Sequence, residues 1–314
     1  MNRTPIITDA RAAAGLLRAG GIVGVPTETV YGLAAIATHH EAVARVFTAK
    51  GRPNDHPLIV HVDSLEMASR YGYVNETARE LAARFWPGPL TLLLERTPLA
   101  GDDITGGRET VAVRMPRHAL TLELIGLCGE GLVAPSANTF GHVSPTSAAH
   151  VVDDLDGLID AVLDGGPCTV GVESTIVDCT GELQVLRPGA VTRADIENCL
   201  GRPVSETSGP SRAPGMLVSH YAPKARVTIA GTGAEADGIS ASMRARGASV
   251  VVIGDRLDVV EYAATLYGMM RDADAAGATQ IVAIEPEGEG LAEAVRDRLR
   301  KAAADTAGGS TPVE

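Results

Sequence analysis

Residues 201–225, GRPVSETSGPSRAPGMLVSHYAPKA, interrupt an otherwise regular chain. On either side short apolar runs alternate with helical periods, whereas inside this stretch Pro, Gly and Ser dominate and no period survives. A connection this long with no secondary structure of its own is uncommon within a compact unit and is either flexible or functional. It divides the 314 residues into two folding units. The expected division is a first domain at 1–200, a linker at 201–225 whose residues 209–224 are suited to act as a lid, a small α/β domain at 226–304 and a disordered tail at 305–314.

Before the break, Thr8 or Asp9 caps a helix running to Ala19 and stopped by Gly20 and Gly21. Ile22–Val25 reads as a short buried strand, residues 39–49 as a helix with Val43, Val46 and Phe47 on its apolar stripe, and Leu58–Val62 as the next strand. A helix over Asn75–Phe85 ends at Trp86-Pro87-Gly88-Pro89. Strands at 90–94, 110–115, 132–134, 159–163, 174–178 and 183–187 follow, with helices at 120–127, from about 145, and at 193–200. After the break the pattern is strand 226–230, helix 234–246, strand 249–253, helix 258–274, strand 280–284 and helix 289–303, which predicts a small parallel sheet. With only six Tyr, three Phe and one Trp in the chain, Val, Leu, Ile and Ala must fill the core. That bias suits an α/β fold.

The net charge of −12 argues against a surface built to hold RNA or DNA, although it leaves room for a local basic pocket. The four cysteines, Cys128, Cys168, Cys179 and Cys199, have no paired spacing that would bind zinc. The first residues lack the layout of a signal peptide, and no apolar run reaches membrane-spanning length. A soluble, cytoplasmic protein with reduced thiols is expected. There is no Gly-x-x-x-x-Gly-Lys-Ser/Thr loop, no Gly-x-Ser-x-Gly elbow and no His-Glu-x-x-His.

Chemistry concentrates in Pro26–Val62. Thr27-Glu28-Thr29 follows a strand, where α/β folds place ligands, although Thr is equally at home in turns and caps. Lys50-Gly51-Arg52-Pro53-Asn54 sets two cations around a glycine able to turn left-handed. The pair suits a polyphosphate or carboxylate, and Lys50 is also explained by its helix C-terminus. His61 sits on an apolar strand with Val60 and Val62 facing the other way, a position that more often holds a structural histidine. Further along, Arg114, Ser136, Asn138, Ser144, Ser174 and Arg187 lie at or just beyond strand ends. Each is weak by itself. Together they are what a pocket for a charged, polar ligand requires.

The segments PTETVYGL, AKGRPNDHPLIVHV, FWPGPLTLLL, VAVRMP, APSANTFGHVSPT, VESTIVD and LRPGA resemble, collinearly over residues 8–198, the YrdC family of L-threonylcarbamoyladenylate synthases. Ser219-His220-Tyr221-Ala222-Pro223 and the α/β domain beyond resemble the longer, two-domain form. The resemblance implies a twisted open sheet with a large concave cavity, followed by a small Rossmann-like parallel α/β domain. It implies an enzyme joining L-threonine, bicarbonate and ATP into threonylcarbamoyl-AMP with release of pyrophosphate, and passing that product to a separate tRNA-modifying transferase complex. By motif position, Thr27, His61, Arg114 and Ser174 would line the threonine site. Lys50, Asn54, Ser136, Asn138, Ser144 and Arg187 would meet ATP, with Tyr221 or its neighbour His220 closing over the nucleotide. Lys50 and Arg52 would be the catalytic cations. Magnesium is expected with the ATP, and no protein ligand for it can be named. A non-catalytic RNA-binding module of the same fold is the alternative, disfavoured by the acidic charge and the scarcity of aromatics. Stable direct tRNA binding is not expected.

Overall fold

The computed structural model describes residues 3–205 and 221–304. Ser219, His220, most of the expected lid and the tail at 305–314 lie outside the described residues. Residues 3–140 and 144–205 form one compact unit, and residues 141–143 with 221–304 form another.

The first unit runs β1 (Ile6–Ile7), α1 (Ala10–Arg18), β2 (Val23–Val25), β3 (Gly32–Ile36), α2 (His40–Lys50), β4 (Ile59–His61), α3 (Leu65–Tyr71), α4 (Glu76–Phe85), β5 (Leu90–Glu95) and α5 (Asp102–Thr105). It continues with β6 (Thr110–Arg114), α6 (Ala119–Cys128), β7 (Leu132–Val133), α7 (Ala148–Leu155), β8 (Ala161–Leu163), β9 (Thr175–Asp178), β10 (Gln184–Arg187) and α8 (Arg193–Leu200). Local signals explain most of these ends. Asp9 and Asn75 cap α1 and α4 through their side chains, and Thr192 and Asp195 form a reciprocal capping box on α8. Gly51 ends α2 at φ 62°, in the left-handed region expected of it.

The strands form one ten-stranded mixed sheet in the order β1-β8-β2-β3-β7-β4-β6-β5-β9-β10. Its fourth strand, β3, was not expected from the sequence. Gly-Leu-Ala-Ala-Ile has little β-branching to mark it, yet it pairs antiparallel with both β2 and β7 and is buried throughout. Small residues suit that position: a Cβ on Gly32 would come 3.0 Å from the Cβ of Ala134. The strands β1 and β8 at the sheet's edge pair in parallel, and β1 was likewise unmarked, as were the short helices α3 and α5.

Two adjacent lateral rows cross β4, β6, β5, β9 and β10. In one, Val60, Val113, Leu92, Val177 and Val185 are register partners in turn, and all belong to the main hydrophobic core. In the next, His61 pairs with Arg114, Arg114 with Thr91, Thr91 with Ile176, and Ile176 with Arg187. Because side chains alternate across a strand, the second row faces away from that core. A bulge between Val185 and Arg187 sets Arg187, rather than Leu186, opposite Ile176.

The second unit contains β11 (Arg226–Ala230), α9 (Gly233–Ala245), β12 (Val250–Ile253), α10 (Val259–Ala275), β13 (Gln280–Ile284) and α11 (Leu291–Ala304). Its sheet is parallel throughout, in the order β11-β13-β12, with α9, α10 and α11 in the crossovers and after the last strand. Gly141–Val143 belong here: the Ala222 amide donates to the Gly141 carbonyl and Arg271 to the Val143 carbonyl. No helix among the described residues is long and apolar enough to cross a membrane.

Candidate active site

The Pro26–Tyr31 connection follows β2 and is buried along its length. Thr27 organises it: its hydroxyl accepts from the amides of Thr29 and Val30, at 3.1 and 3.2 Å, and donates to the Val30 carbonyl at 2.6 Å. This local turn aims Thr29 and Glu28 at Arg114, the last residue of β6. Arg114 donates from Nη1 to the Thr29 hydroxyl at 2.9 Å and from Nε to the Gly88 carbonyl at 3.3 Å. Its Nη2 lies 2.7 Å from Glu28 Oε2, and both side chains are almost completely buried.

His61 is Arg114's neighbour in register and is also buried. Burial, reinforced by the Arg114 guanidinium, pushes its pKa down to about 3, so the ring is neutral at physiological pH. Across the strand from Arg114, the Thr91 hydroxyl lies 2.7 Å from that of Ser174. Arg187 grips the same serine twice, donating from Nε to its carbonyl at 2.9 Å and from Nη2 to its hydroxyl at 3.0 Å. Beside Ser174, Glu173 accepts from the Ser144 hydroxyl at 2.7 Å. Thr27, Arg114, Ser174, Arg187, Ser144 and His61 thus form one continuous set.

A second set gathers at the end of α2. Lys50 is buried, and its Nζ donates to the carbonyls of Ser136 and Asn138, both at 2.5 Å. Burial and the nearby Arg52 charge hold its pKa well below the ordinary lysine range. Two of its hydrogens are thereby committed to these carbonyls. Arg52 donates to the Pro57 carbonyl at 3.0 Å and lies over the Phe140 ring, 5.7 Å from its centroid. Ser136 also bridges Gly32 at the start of β3, the residue after the Pro26–Tyr31 connection.

Asn54 is exposed in the turn after α2. Tyr221, expected over the nucleotide, belongs to the second unit, where its ring is buried, stacked on Tyr267 at 5.7 Å and beneath the Arg298 guanidinium at 5.4 Å. A large ring in a small domain with few aromatics is drawn into the core. Conversely, Glu28, Thr29, Thr91 and Glu173 were not singled out from the sequence. The Thr-Glu-Thr triplet held a signal for the first two; nothing local marks Thr91 within LTLLL. The strand-end reading also needs amending. Ser136 lies level with the C-terminal end of β2, whereas Arg114, Ser174 and Arg187 lie at the other edge of the sheet. The site therefore lies across a sheet face and not along one edge.

Among the described residues, no group of three His, Cys, Asp or Glu side chains gathers as a metal site.

A family model described as telomere recombination (Sua5, YciO and YrdC) matches residues 15–189, and one for the C-terminal domain of threonylcarbamoyl-AMP synthase matches 191–304. The threonylcarbamoyl-AMP synthase of Pyrococcus abyssi is 42% identical over 316 residues, covering 93% of each chain. That of Bacillus subtilis is 40% identical, covering 93% of this chain and 92% of its own. A crystal structure of P. abyssi Sua5 complexed with L-threonine superposes with a TM-score of 0.90 at 40% identity, covering 96% of this chain and 97% of the other.

Proposed function

The chain belongs to the Sua5/YrdC family of threonylcarbamoyl-AMP synthases, in the form that carries the C-terminal domain, and from that premise we propose how its first unit works. It is an enzyme that makes threonylcarbamoyl-AMP from L-threonine and ATP; bicarbonate supplies the remaining carbon, and pyrophosphate is released. Threonine's amine combines with carbon dioxide drawn from bicarbonate to give a carbamate. A carbamate oxygen then attacks the α-phosphorus of ATP in line, and the bond to the pyrophosphate oxygen breaks. No protein nucleophile takes part, so the rate rests on positioning and electrostatics.

The observation that carries this reading is the Ser174 hydroxyl, which touches Thr91 at 2.7 Å and Arg187 at 3.0 Å. Ser174 is itself read as a threonine contact, and it accepts from Arg187, read as a nucleotide contact. In this arrangement Arg114 takes the amino acid's carboxylate, and Arg187, Lys50 and Arg52 face the phosphates. Ser136, Asn138 and Ser144 complete the nucleotide side, with Asn54 at its exposed margin. Magnesium would travel on the ATP phosphates, where it normally keeps several waters and few protein ligands; when bound it would offset phosphate charge. The adenylate would pass to a separate transferase acting on tRNA.

Pyrophosphate release should require threonine, bicarbonate and ATP together. Release that proceeds at the same rate without threonine would overturn the assignment.

A further inference from the structure

Buried polar atoms in folded proteins nearly always have hydrogen-bond partners, and those that do not call for an explanation. Several are clustered around Arg114. Both carboxylate oxygens of Glu28, Nη2 of Arg114 and Nδ1 of His61 are buried without a hydrogen bond. The contact between Glu28 and Arg114 is short, yet no N–H of the guanidinium is aligned on the carboxylate. Arg114 is instead held by Gly88 and Thr29 on its other nitrogens. An ion pair kept only to support the fold would repay its desolvation through directed hydrogen bonds. This one places a positive and a negative group side by side with hydrogen-bonding capacity left over on both.

That arrangement complements an α-amino acid, whose carboxylate and ammonium leave the same carbon. Resting on the reading of this region as a threonine site, we infer that Glu28 is the amino acid's third anchor. Its carboxylate receives the α-ammonium while Arg114 binds the α-carboxylate, and His61 Nδ1 faces the β-hydroxyl. Three unlike contacts distinguish a β-hydroxy amino acid from the hydroxy acid of the same shape. They also hold the amine, the atom that must become the carbamate nitrogen, at a defined point. Glu28 thus determines specificity for the amine, a role that neither the Thr27 turn nor Ser174 supplies.

Titration calorimetry on the full chain tests this with two probes: L-threonine, and 3-hydroxybutyrate, which keeps the carboxylate and hydroxyl but lacks the amine. Wild-type protein should prefer threonine by at least roughly 10-fold, the scale of one charge-assisted hydrogen bond. Glu28→Gln should lose roughly 10- to 100-fold in threonine affinity with little change for 3-hydroxybutyrate, so that the preference collapses. Glu28→Asp, which keeps the charge with a shorter reach, should fall between. ATP binding measured on each variant reports an intact fold. A Glu28→Gln protein that binds ATP normally and keeps its preference would overturn the inference. So would wild-type protein that binds both probes equally, a result needing no variant. Wild-type protein that binds ATP but no threonine would instead overturn the reading of the site itself.

Discussion

On one face of the β4-β6-β5-β9-β10 strands, Val60, Val113, Leu92, Val177 and Val185 pack into the main core; on the other, His61, Arg114, Thr91 and Arg187, with Ile176 among them, are buried to nearly the same degree. The rows are adjacent residues of the same strands. Burial alone therefore does not separate core from site. The apolar row lowers the free energy of the folded chain by leaving water. The polar row costs desolvation, which its internal hydrogen bonds only partly offset, and a folded chain tolerates that cost where a ligand completes the network. The difference teaches that the main core packs against one face, while the other carries the buried polar groups beside a smaller apolar cluster of Ile59, Leu93, Ala112, Ile176 and Leu186.

The comparison can be broken by exchanging the consequences of neighbouring substitutions. The largest expected effect is on the core face. Leu92→Ala should lower unfolding free energy by about 2–5 kcal/mol in denaturant titrations, while the folded fraction keeps its turnover. Next, at the second set, Lys50→Ala and Arg52→Ala should each cut pyrophosphate release by roughly 10²- to 10³-fold in protein that remains folded by circular dichroism; an unchanged rate in either would remove that cation from the mechanism. Thr91→Val preserves shape and should cost at most about 1–2 kcal/mol of stability. It should reduce kcat/KM for threonine by roughly 10-fold through loss of the Ser174 contact, with rescue by Thr91→Ser. Equal loss in both variants would mean that Thr91 only packs.

A pH-dependent effect sharpens the electrostatic side. His61 is neutral in the native state because burial pushes its pKa to about 3 from an ordinary 6.5. Between those values the unfolded chain binds a proton that the native chain does not. Stability therefore rises with pH through this window and falls on acidification, by about 1.4 kcal/mol per pH unit for that proton. His61→Gln should flatten the acid limb by up to this slope between pH 6 and pH 4. Identical slopes in variant and wild type would mean that His61 titrates normally.

Much of this was legible before any coordinates. The caps at Asp9 and Asn75, the left-handed Gly51, helix 193–200 and strands 226–230 and 280–284 follow from short-range rules, because each depends on a few neighbouring residues. So does the presence of two compact units. The face of His61 was likewise predictable, since alternation along one strand is local.

What the tertiary structure alone decided is which distant residues meet. β3 carries no signal of its own and exists because β2 and β7 flank it. Arg187 enters the polar row through a bulge that no local pattern announced, and Thr91 matters only because β6 and β9 lie on either side of it. Glu28 lies in a triplet that the sequence marks only as a strand-end turn; its carboxylate gains meaning from Arg114, more than 80 residues away. The ring of Tyr221 stacks on Tyr267, 46 residues away, a contact that its own motif does not announce. Propensity and periodicity are written in a few consecutive residues and can be read there. Register, bulges and the pairing of buried charges arise from packing between segments far apart in the chain, so they exist only once it has folded.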